Sequence, residues 1–279
     1  HPDRDEAWAE QERSRIGDER FRREHECEFL IFDETLISSL VLADMEGSAP
    51  VETTGQVRWF KRPTPGHTYM VSLDPSMGTG GDFAAIQVFE LPTFEQVGEW
   101  HHNQTPMNQQ VRILQGINKH IHDTIMEKDS SATPQIFYSM ENNTIGEAAL
   151  MRVMDIGEEN IMGMFLSEPI RKGHRRKFRR GFNTTAKHKI DACTKFKELV
   201  ENDKMKINSQ LLISEMKDFV ATGLSYKAKP GQHDDLVSAC LLMTRMMKVL
   251  ADFDPKIFEK WTDRTSEITP MPIFGSFTG

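Results

Sequence analysis

The amino-acid sequence predicts an α/β domain, in which a mixed β-sheet carries helices on both of its faces. The central part of the chain contains three strand patterns in hairpin order, followed by a long amphipathic helix and a fourth strand. Helical patterns make up most of the remaining sequence, and the last of them is apolar nearly all round. Together these elements indicate a sheet sandwiched between helices.

The first three strands give the sheet its hairpin order. The first alternates in polarity and ends in an acid, Asp74. The second and third are joined by two or three residues around Pro92, which is the length of a hairpin turn. These strands are predicted at 67–74, 83–91 and 96–102.

A long helix is predicted to begin at Thr105-Pro106, because an N-cap residue followed by proline is typical of a first turn. Its apolar face consists of Val111, Leu114, Ile117, Ile121 and Ile125. The next strand, 134–141, is a short apolar run that ends in an acid. The remaining patterns predict a strand at 160–166 and helices at 145–155, 186–202, 209–219 and 236–250.

Composition divides the chain into three segments. Residues 1–60 combine a charged, exposed helix with loop and linker sequence. Residues 61–252 hold the strands and helices of the main domain. Residues 253–279 contain three prolines and two glycines, and we expect a loose tail there. Because the sequence opens with HPDRDEAW rather than methionine, we expect it to be a piece of a longer protein.

The overall composition is that of an ordinary soluble protein, with 38% apolar and 27% charged residues. No apolar run approaches the roughly 20 residues that span a bilayer, so no membrane association is expected. Three widely spaced cysteines, Cys27, Cys193 and Cys240, favour reduced thiols over a disulfide or zinc framework. The net charge of −8 does not by itself indicate a nucleic-acid partner.

Acidic residues stand where the predicted elements end or begin. Asp74 ends the first strand, Glu141 ends the fourth, and Asp234-Asp235 precede the last helix. If the first and fourth strands are neighbours, their ends meet, and carboxylates crowded there repel unless a cation neutralises them. Such oxygen ligands suit Mg²⁺ or Mn²⁺. Two ions about 3.5–4 Å apart can activate a water and stabilise the leaving oxygen in phosphodiester hydrolysis.

Each of these acids also has an ordinary structural interpretation. Asp74 precedes a proline and fits the start of a turn. Glu141 fits a surface acid after a strand, and Asp234 or Asp235 fits the N-cap of the last helix. His233 fits either a residue that orients a ligand or phosphate, or an ordinary polar loop residue.

The glycine-rich stretch LDPSMGTGGDFAAIQVFEL (73–91) is typical either of a phosphate-binding loop or of a tight turn beside a metal ligand. A P-loop requires lysine and then Ser/Thr after its last glycine, whereas Gly81 is followed by Asp82. Sugar-kinase and actin-like ATPases also begin with a strand, an Asp and a glycine turn, but they need a second glycine-rich loop. The sequence lacks that second loop. The turn is therefore favoured, with the ATP-binding domain as an alternative.

A basic segment, IRKGHRRKFRRGF (170–182), interrupts this acidic chain. It holds seven cations without an acid between them: Arg171, Lys172, Arg175, Arg176, Lys177, Arg179 and Arg180. Such a cluster is either a solvated face or a site that grips the phosphates of a polyanion with little sequence preference. Lys187 and Lys189 follow and extend this track.

Three motifs carry a resemblance to a known family: VSLDPSMGTGGDFAAIQVFE (71–90), SMENNTIG (139–146) and GQHDDLVSA (231–239). In this order they resemble the C-terminal nuclease part of the large terminase subunit of tailed bacteriophages, most closely the T4-type packaging motors. The upstream FRREHECEFL (21–30) and ETLIS (34–38) resemble the junction that follows the family's packaging ATPase.

The resemblance implies an RNase H-like fold and metal-dependent cutting of double-stranded, concatemeric DNA. Asp74, Glu141 and Asp234 are then the metal carboxylates of a two-metal Mg²⁺ or Mn²⁺ site, with Asp235 as a fourth candidate. Asp82 matches a family acid in the glycine loop, either as a ligand or as a brace. No residue is assigned to an organic cofactor.

The resemblance also implies a further position at which family members can carry a carboxylate, but this chain has no acid there. Met77 stands at the place, three residues after the first acid, where T4-type relatives can have an acid.

The implied partners are double-stranded DNA, the ATPase domain upstream in the same polypeptide, the portal protein and the small terminase subunit. Residues 1–60 would include the end of that ATPase domain, and the setting would be the host cytoplasm at the procapsid portal. No Walker A motif occurs here, so no ATP turnover is expected. Two rivals stay open: a Holliday-junction resolvase or transposase-like nuclease, and a packaging-interaction module that binds no metal.

Overall fold

The computed structural model describes residues 6–17, 21, 34–169 and 180–253. Seven strands of the described chain form one sheet, and two more form a separate hairpin. The strands are β1 (Glu52–Thr54), β2 (Val57–Trp59), β3 (Thr68–Asp74), β4 (Ala84–Leu91), β5 (Glu95–His102), β6 (Gln135–Met140), β7 (Met164–Phe165), β8 (Phe219–Thr222) and β9 (Ser225–Ala228). The helices are α1 (Glu6–Ile16), α2 (Ser39–Asp44), α3 (Met107–Lys128), α4 (Thr144–Ile156), α5 (Ala186–Glu201), α6 (Gln210–Asp218) and α7 (Asp235–Phe253), with a 3-10 turn at Glu158–Asn160.

The large sheet is mixed, as the sequence predicts. Its strand order is β1-β2-β5-β4-β3-β6-β7. Strands β3, β4 and β5 pair antiparallel in chain order, whereas β6 adds parallel to β3 after helix α3, and β7 adds parallel to β6. The first and fourth predicted strands, now β3 and β6, are therefore neighbours that end at the same edge.

Helices cover both faces of the sheet, so the predicted α/β layering is confirmed. The alternation of β3 separates the faces: Tyr69, Val71 and Leu73 pack in the core that contains α3 and α4. Met70 packs in the opposite core, which contains α5, α6 and α7. Ser72 also points to this second face, because its hydroxyl donates to the Ala239 carbonyl of α7 at 2.8 Å. Because side chains alternate along a strand, the side chain of Asp74, two residues further on, lies on the same face as that of Ser72.

Two local predictions were wrong, and one hairpin was missed. Residues 52–59, expected in the linker, form β1 and β2 of the sheet, where β2 pairs with β5. The hairpin β8–β9 was not predicted, since its four-residue strands are only partly buried and lack a clean apolar alternation. Thr105 does not cap α3; its hydroxyl bonds His102 Nδ1 at 2.7 Å, and α3 begins two residues later.

The division into segments 1–60, 61–252 and 253–279 stays a prediction. The tail from residue 254 onward lies outside the described residues.

The cysteines behave as the sequence indicates where the structure describes them. Cys193 and Cys240 are buried free thiols, and burial raises the pKa of both, that of Cys193 to about 11. Cys27 lies outside the described residues. None of the helices described here combines the length and apolarity needed to cross a bilayer.

Candidate metal centre

Asp74 and Glu141 are brought together by the parallel pairing of β3 and β6. The Glu141 amide donates to the Leu73 carbonyl at 3.1 Å, which continues the ladder by one residue. Asp74 ends β3 at the same level, and the two carboxyl groups share a hydrogen bond. Burial and then the charge of Glu141 raise the pKa of Asp74 well above its usual value. Two acids that repel in this way create a demand for a cation.

The start of α7 brings two further acids to this pair. Asp234 accepts a hydrogen bond from the Ala228 amide at 3.2 Å and lies 3.9 Å from Lys189 Nζ. Burial and the charge of Asp234 raise the pKa of Asp235 to about 6, although His233 and the amide of Phe83 oppose the rise. Both acids also act on Asp74. The structure thus gathers all four predicted carboxylates at one edge of the sheet.

Glu141 is held by the first turn of α4. Asn143 caps this helix by accepting from the amides of Ile145 and Gly146 at 3.0 and 2.8 Å. The same side chain donates to Glu141 Oε2 at 3.0 Å. A Cβ at Gly146 would lie 1.8 Å from the Glu141 carbonyl oxygen, so only glycine allows α4 to approach this closely. The motif SMENNTIG therefore fixes the orientation of one carboxylate.

The glycine-rich loop between β3 and β4 is a hairpin connection that is fastened to the start of α3. Gly78 has a φ of 69°, and a Cβ there would lie 2.1 Å from the Thr105 carbonyl oxygen. Gln110 Nε2 donates to the carbonyls of Ser76 and Thr105 at 2.9 and 2.7 Å. The turn interpretation is confirmed by the antiparallel β3–β4 pairing. Asp82 is exposed in this loop and contributes to the raised pKa of Asp235.

A cavity of about 180 Å³ opens beside Asp74 and Glu141. Basic side chains of α5 and α7 also line it, namely His188, Lys189 and Arg245. Arg245 is engaged: it forms an ion pair with Glu168 and donates to the hydroxyl of Thr184 at 2.9 Å. Lys189 forms an ion pair with one of the predicted carboxylates, Asp234, at 3.9 Å.

The sheet edge continues from Asp74 to a histidine that the sequence analysis missed. Asp74 pairs with Ala85 on β4, and Ala85 pairs with His101 on β5, so the three form a row across the sheet. Burial lowers the pKa of His101 to about 4, which keeps the imidazole neutral at pH 7. Its Nε2 is buried and makes no hydrogen bond within the described part of the chain. Phe83 stacks on the ring at 4.1 Å between centroids.

Glu215 of α6 joins this corner. Burial raises its pKa to about 8, against the effect of two backbone hydrogen bonds from α7. One ligand-type atom each from His101, Glu215 and Asp235 lies within 4.8 Å of the others. Neither His101 nor Glu215 carries a signal in the sequence, because one lies in a strand end and the other within an ordinary amphipathic helix.

The predicted DNA-binding segment can be located only by its ends. Six of its seven cations, Arg171 to Arg179, lie outside the described residues. Arg180 is described and forms an ion pair with Glu158. The Glu168 amide donates to the Gly181 carbonyl at 3.2 Å, and the Phe182 amide donates to the Met140 carbonyl at 3.2 Å. The described residues on either side of the undescribed part, Glu168 and Gly181, are therefore held together, and Phe182 pairs with Glu141.

The donor set fits a divalent cation. Among the described lysines and arginines, Lys189 is the one that forms an ion pair with a member of this group of four carboxylates, at 3.9 Å from Asp234. One ammonium group leaves most of their charge uncompensated, which agrees with the raised pKa values of Asp74 and Asp235. Carboxylate oxygens are the preferred ligands of Mg²⁺ and Mn²⁺.

Fold and site together define a class: an RNase H-like domain that gathers carboxylates where two adjacent parallel strands end and a final helix begins. A family model described as the terminase RNaseH-like domain matches residues 71–246, well over half of the chain. The chain therefore belongs to this family. The predicted family and RNase H-like fold are confirmed, whereas the narrower T4-type assignment stays a prediction.

Solved structures agree with the fold. The large terminase nuclease from thermophilic phage G20c, determined with bound magnesium, is 17% identical, with 77% of this chain and 97% of that chain covered at a TM-score of 0.56. The same nuclease with bound cobalt gives the same values. The Thermus phage P74-26 large terminase nuclease domain is 17% identical, with 72% and 90% covered at a TM-score of 0.51.

Proposed function

We propose that this chain is the Mg²⁺- or Mn²⁺-dependent endonuclease domain of a DNA-packaging terminase and that it cuts double-stranded viral DNA. The observation that carries the proposal is the meeting of Asp74, Glu141 and the Asp234-Asp235 pair at one sheet edge beside a cavity. Membership of the terminase RNase H-like family supports it. Structures of the same fold, solved as terminase nucleases with bound magnesium or cobalt, also support the proposal.

Asp74, Glu141 and Asp234 would hold the metal ions, with Asp235 as the fourth carboxylate. When bound, two such ions supply an activated water nucleophile and neutralise charge on the leaving oxygen. The chain itself contributes orientation, because Asn143 fixes the Glu141 carboxylate by a 3.0 Å hydrogen bond. Lys189 contributes a positive charge at the cavity wall, where an oxygen of the scissile phosphate would be attracted.

The basic segment would grip the DNA backbone close to the cut. The described residues that flank it support this proposal, because Glu168 is hydrogen-bonded to Gly181, and Phe182 is hydrogen-bonded to Met140, the residue before Glu141. Arg171, Lys172, Arg175, Arg176, Lys177 and Arg179 would contact phosphates. Arg180 belongs to the proposed set, but its ion pair with Glu158 competes with a phosphate contact.

The terminase context supplies the further partners. Residues 1–60 would connect this domain to the ATPase domain of the same polypeptide. The portal protein and the small terminase subunit would recruit the enzyme to concatemeric DNA at the procapsid in the host cytoplasm. A T4-type motor is the arrangement that the sequence motifs favour.

The proposal is tested by plasmid cleavage with Mg²⁺, with Mn²⁺ and with EDTA. We expect supercoiled plasmid to be nicked and linearised with either ion and to stay intact with EDTA. A linear duplex and a four-way junction of equal length, compared in the same assay, test the choice of substrate. Preference for the junction would indicate a resolvase, and a chain that neither cleaves nor binds Mn²⁺ in calorimetry would contradict a metal-dependent nuclease.

A further inference from the structure

The N-terminus of α7 is held by a side chain from another helix. Glu215 Oε2 accepts hydrogen bonds from the amides of Leu236 and Val237 at 2.8 and 3.1 Å. The first amides of a helix have no partner within the helix itself, so they require an acceptor from elsewhere. The Glu215 side chain is only 10% exposed, so solvent does little to replace this contact.

This contact lies directly beside the proposed metal carboxylates. Asp234 and Asp235 immediately precede the two amides that Glu215 binds. Because these amides belong to the rigid first turn of α7, the position of Glu215 determines where both acids stand relative to Asp74. The alternative cap within the sequence is occupied, since the Asp234 side chain accepts from Ala228 instead.

The other carboxylate oxygen of Glu215 faces β5. Oε1 lies 3.6 Å from Nε2 of His101, which is on β5, two strands away from Asp74. Phe83 stacks on His101, and its amide donates to the Asp235 carboxylate. The hold on the first turn of α7 therefore comes from Glu215 Oε2, and the end of the glycine loop adds the Phe83 amide to Asp235.

We propose that Glu215 is a positioning residue: its carboxylate fixes the first turn of α7 and thereby sets the metal-binding geometry of Asp234 and Asp235. This inference rests on the proposed nuclease function of the same site. Groups that orient metal ligands typically change metal affinity or activity by about 10- to 100-fold when they are replaced. Glu215 contributes through the geometry of its acceptor oxygen rather than through its charge.

Two substitutions separate geometry from charge. Glu215→Gln keeps the side-chain length and an oxygen that accepts from Leu236 and Val237, and its amide nitrogen can donate to the unpartnered Nε2 of His101. Glu215→Asp keeps the carboxyl group but withdraws the acceptor by one methylene. In calorimetric titration of the full chain with Mn²⁺, we expect Glu215→Gln to bind within about twofold of the parent and Glu215→Asp to bind about tenfold or more weakly.

Steady-state cleavage provides a second measurement. At saturating Mn²⁺ we expect Glu215→Asp to lower kcat while KM for duplex DNA stays unchanged, because the phosphate-gripping residues are untouched. Glu215→Gln should restore kcat. A role limited to stability would not produce this division between kcat and KM.

Ser209→Ala is the matched control for general destabilisation. Ser209 caps α6 by accepting from the Leu212 amide at 3.1 Å, and it donates to Glu99 at 2.6 Å. Its loss removes a buried cap from the same helix but does not touch α7. We expect a lower Tm with unchanged Mn²⁺ affinity. Weakening equal to that of Glu215→Asp would overturn the proposal, because any loss of α6 stability would then suffice.

His101→Ala distinguishes positioning from direct ligation and remains decisive if Glu215→Asp does not fold. It leaves the two backbone hydrogen bonds of Glu215 in place, so we expect parental Mn²⁺ affinity. Loss of affinity in both His101→Ala and Glu215→Gln would mean that these side chains ligate the ion, which overturns the positioning role. Parental affinity in Glu215→Asp would also overturn it. If the parent chain itself binds no Mn²⁺, the nuclease proposal fails first.

Discussion

The sheet has acidic clusters at both of its ends, and they differ in how their charge is compensated. At the β4–β5 turn, the buried Glu90 and the neighbouring Glu95 share Lys61, whose Nζ lies 3.1 Å from Glu95. Lys206 adds a second cation at 2.7 Å from Glu95. At the opposite end, Asp74 meets three more acids, and Lys189 is the described lysine or arginine that forms an ion pair with one of them, Asp234, at 3.9 Å.

The pKa directions show the consequence of this difference. Burial acts to raise the pKa of Glu95, but hydrogen bonds from Lys206 and Lys61 bring it below its usual value. Burial also acts on Asp74, and there the neighbouring acids add to the rise. The first cluster is a complete ion network that joins β4 and β5 to the loop before α6. The second is incomplete, and incompleteness of this kind is typical of a metal or catalytic site.

The largest expected effect is the loss of cleavage at the incomplete cluster. Asp74→Asn or Glu141→Gln removes one ligand charge while the side-chain shape is kept. We expect plasmid cleavage to fall below detection with an unchanged circular dichroism spectrum. Full activity in either variant would remove that residue from the proposed site.

Glu90→Gln is the matched control at the complete cluster. The substitution leaves Lys61 with a weakened partner, so we expect a loss of about 2 kcal/mol in the free energy of unfolding. Cleavage by the folded fraction should be unchanged. A loss of activity at a temperature where the variant is folded would show that the two ends of the sheet are coupled.

The second prediction concerns DNA affinity. Changing Arg175, Arg176 and Arg179 together to Ala removes three proposed phosphate contacts, whereas Arg180→Ala removes a cation already paired with Glu158. The triple variant should bind all duplex sequences more weakly, and its salt slope should flatten by about 3. We expect a smaller effect of Arg180→Ala. Unchanged affinity in the triple variant would assign the segment to solvent or to a protein partner.

The third prediction is a stability gain on metal binding that only the incomplete cluster provides. At 100-fold excess over its dissociation constant, Mn²⁺ should stabilise the chain by about 2.7 kcal/mol. Differential scanning fluorimetry should show a higher Tm that EDTA reverses. The gain should persist in Glu90→Gln and shrink in Asp74→Asn. An equal gain in both variants would place the ion elsewhere.

The smallest expected effect is a pH dependence that belongs to Glu215. Burial raises its folded pKa to about 8. Its stability contribution is therefore complete below the unfolded value near ~4.3 and is lost as pH rises through about 8. His101, with a pKa of about 4, is already neutral above about pH 6.5, and Asp235, with a pKa of about 6, is largely ionised there.

Between pH 6.5 and 8, the metal-free chain should therefore lose about 1.5 kcal/mol of unfolding free energy because of Glu215. Urea unfolding in EDTA at both pH values measures this loss. Glu215→Gln has no carboxyl group to ionise at position 215. Its unfolding free energy should therefore fall less between these pH values, by the amount assigned to Glu215. Identical losses in the two proteins would contradict the raised pKa.

The position of an acidic residue in the fold can be predicted from the sequence when that residue ends a recognisable strand or helix. Asp74 and Glu141 end two apolar strands, so they meet on the single condition that these strands are neighbours, and the structure shows that pairing. The same reasoning fails for Glu215, because its partners depend on how α6 packs against α7. It also fails for β1 and β2, whose three-residue strands are too short to show a period.

The hydrogen bond between Glu168 and Gly181, together with the strand-like pairing of Phe182, makes the chain leave and rejoin the sheet edge at one point. The described strands of the sheet all lie outside the stretch between Glu168 and Gly181. Under the proposed function, substrate grip and cutting chemistry can therefore diverge separately in evolution. For protein engineering, the hydrogen bond between Glu168 and Gly181 marks a junction at which a different nucleic-acid-binding segment could be grafted beside an unaltered metal centre.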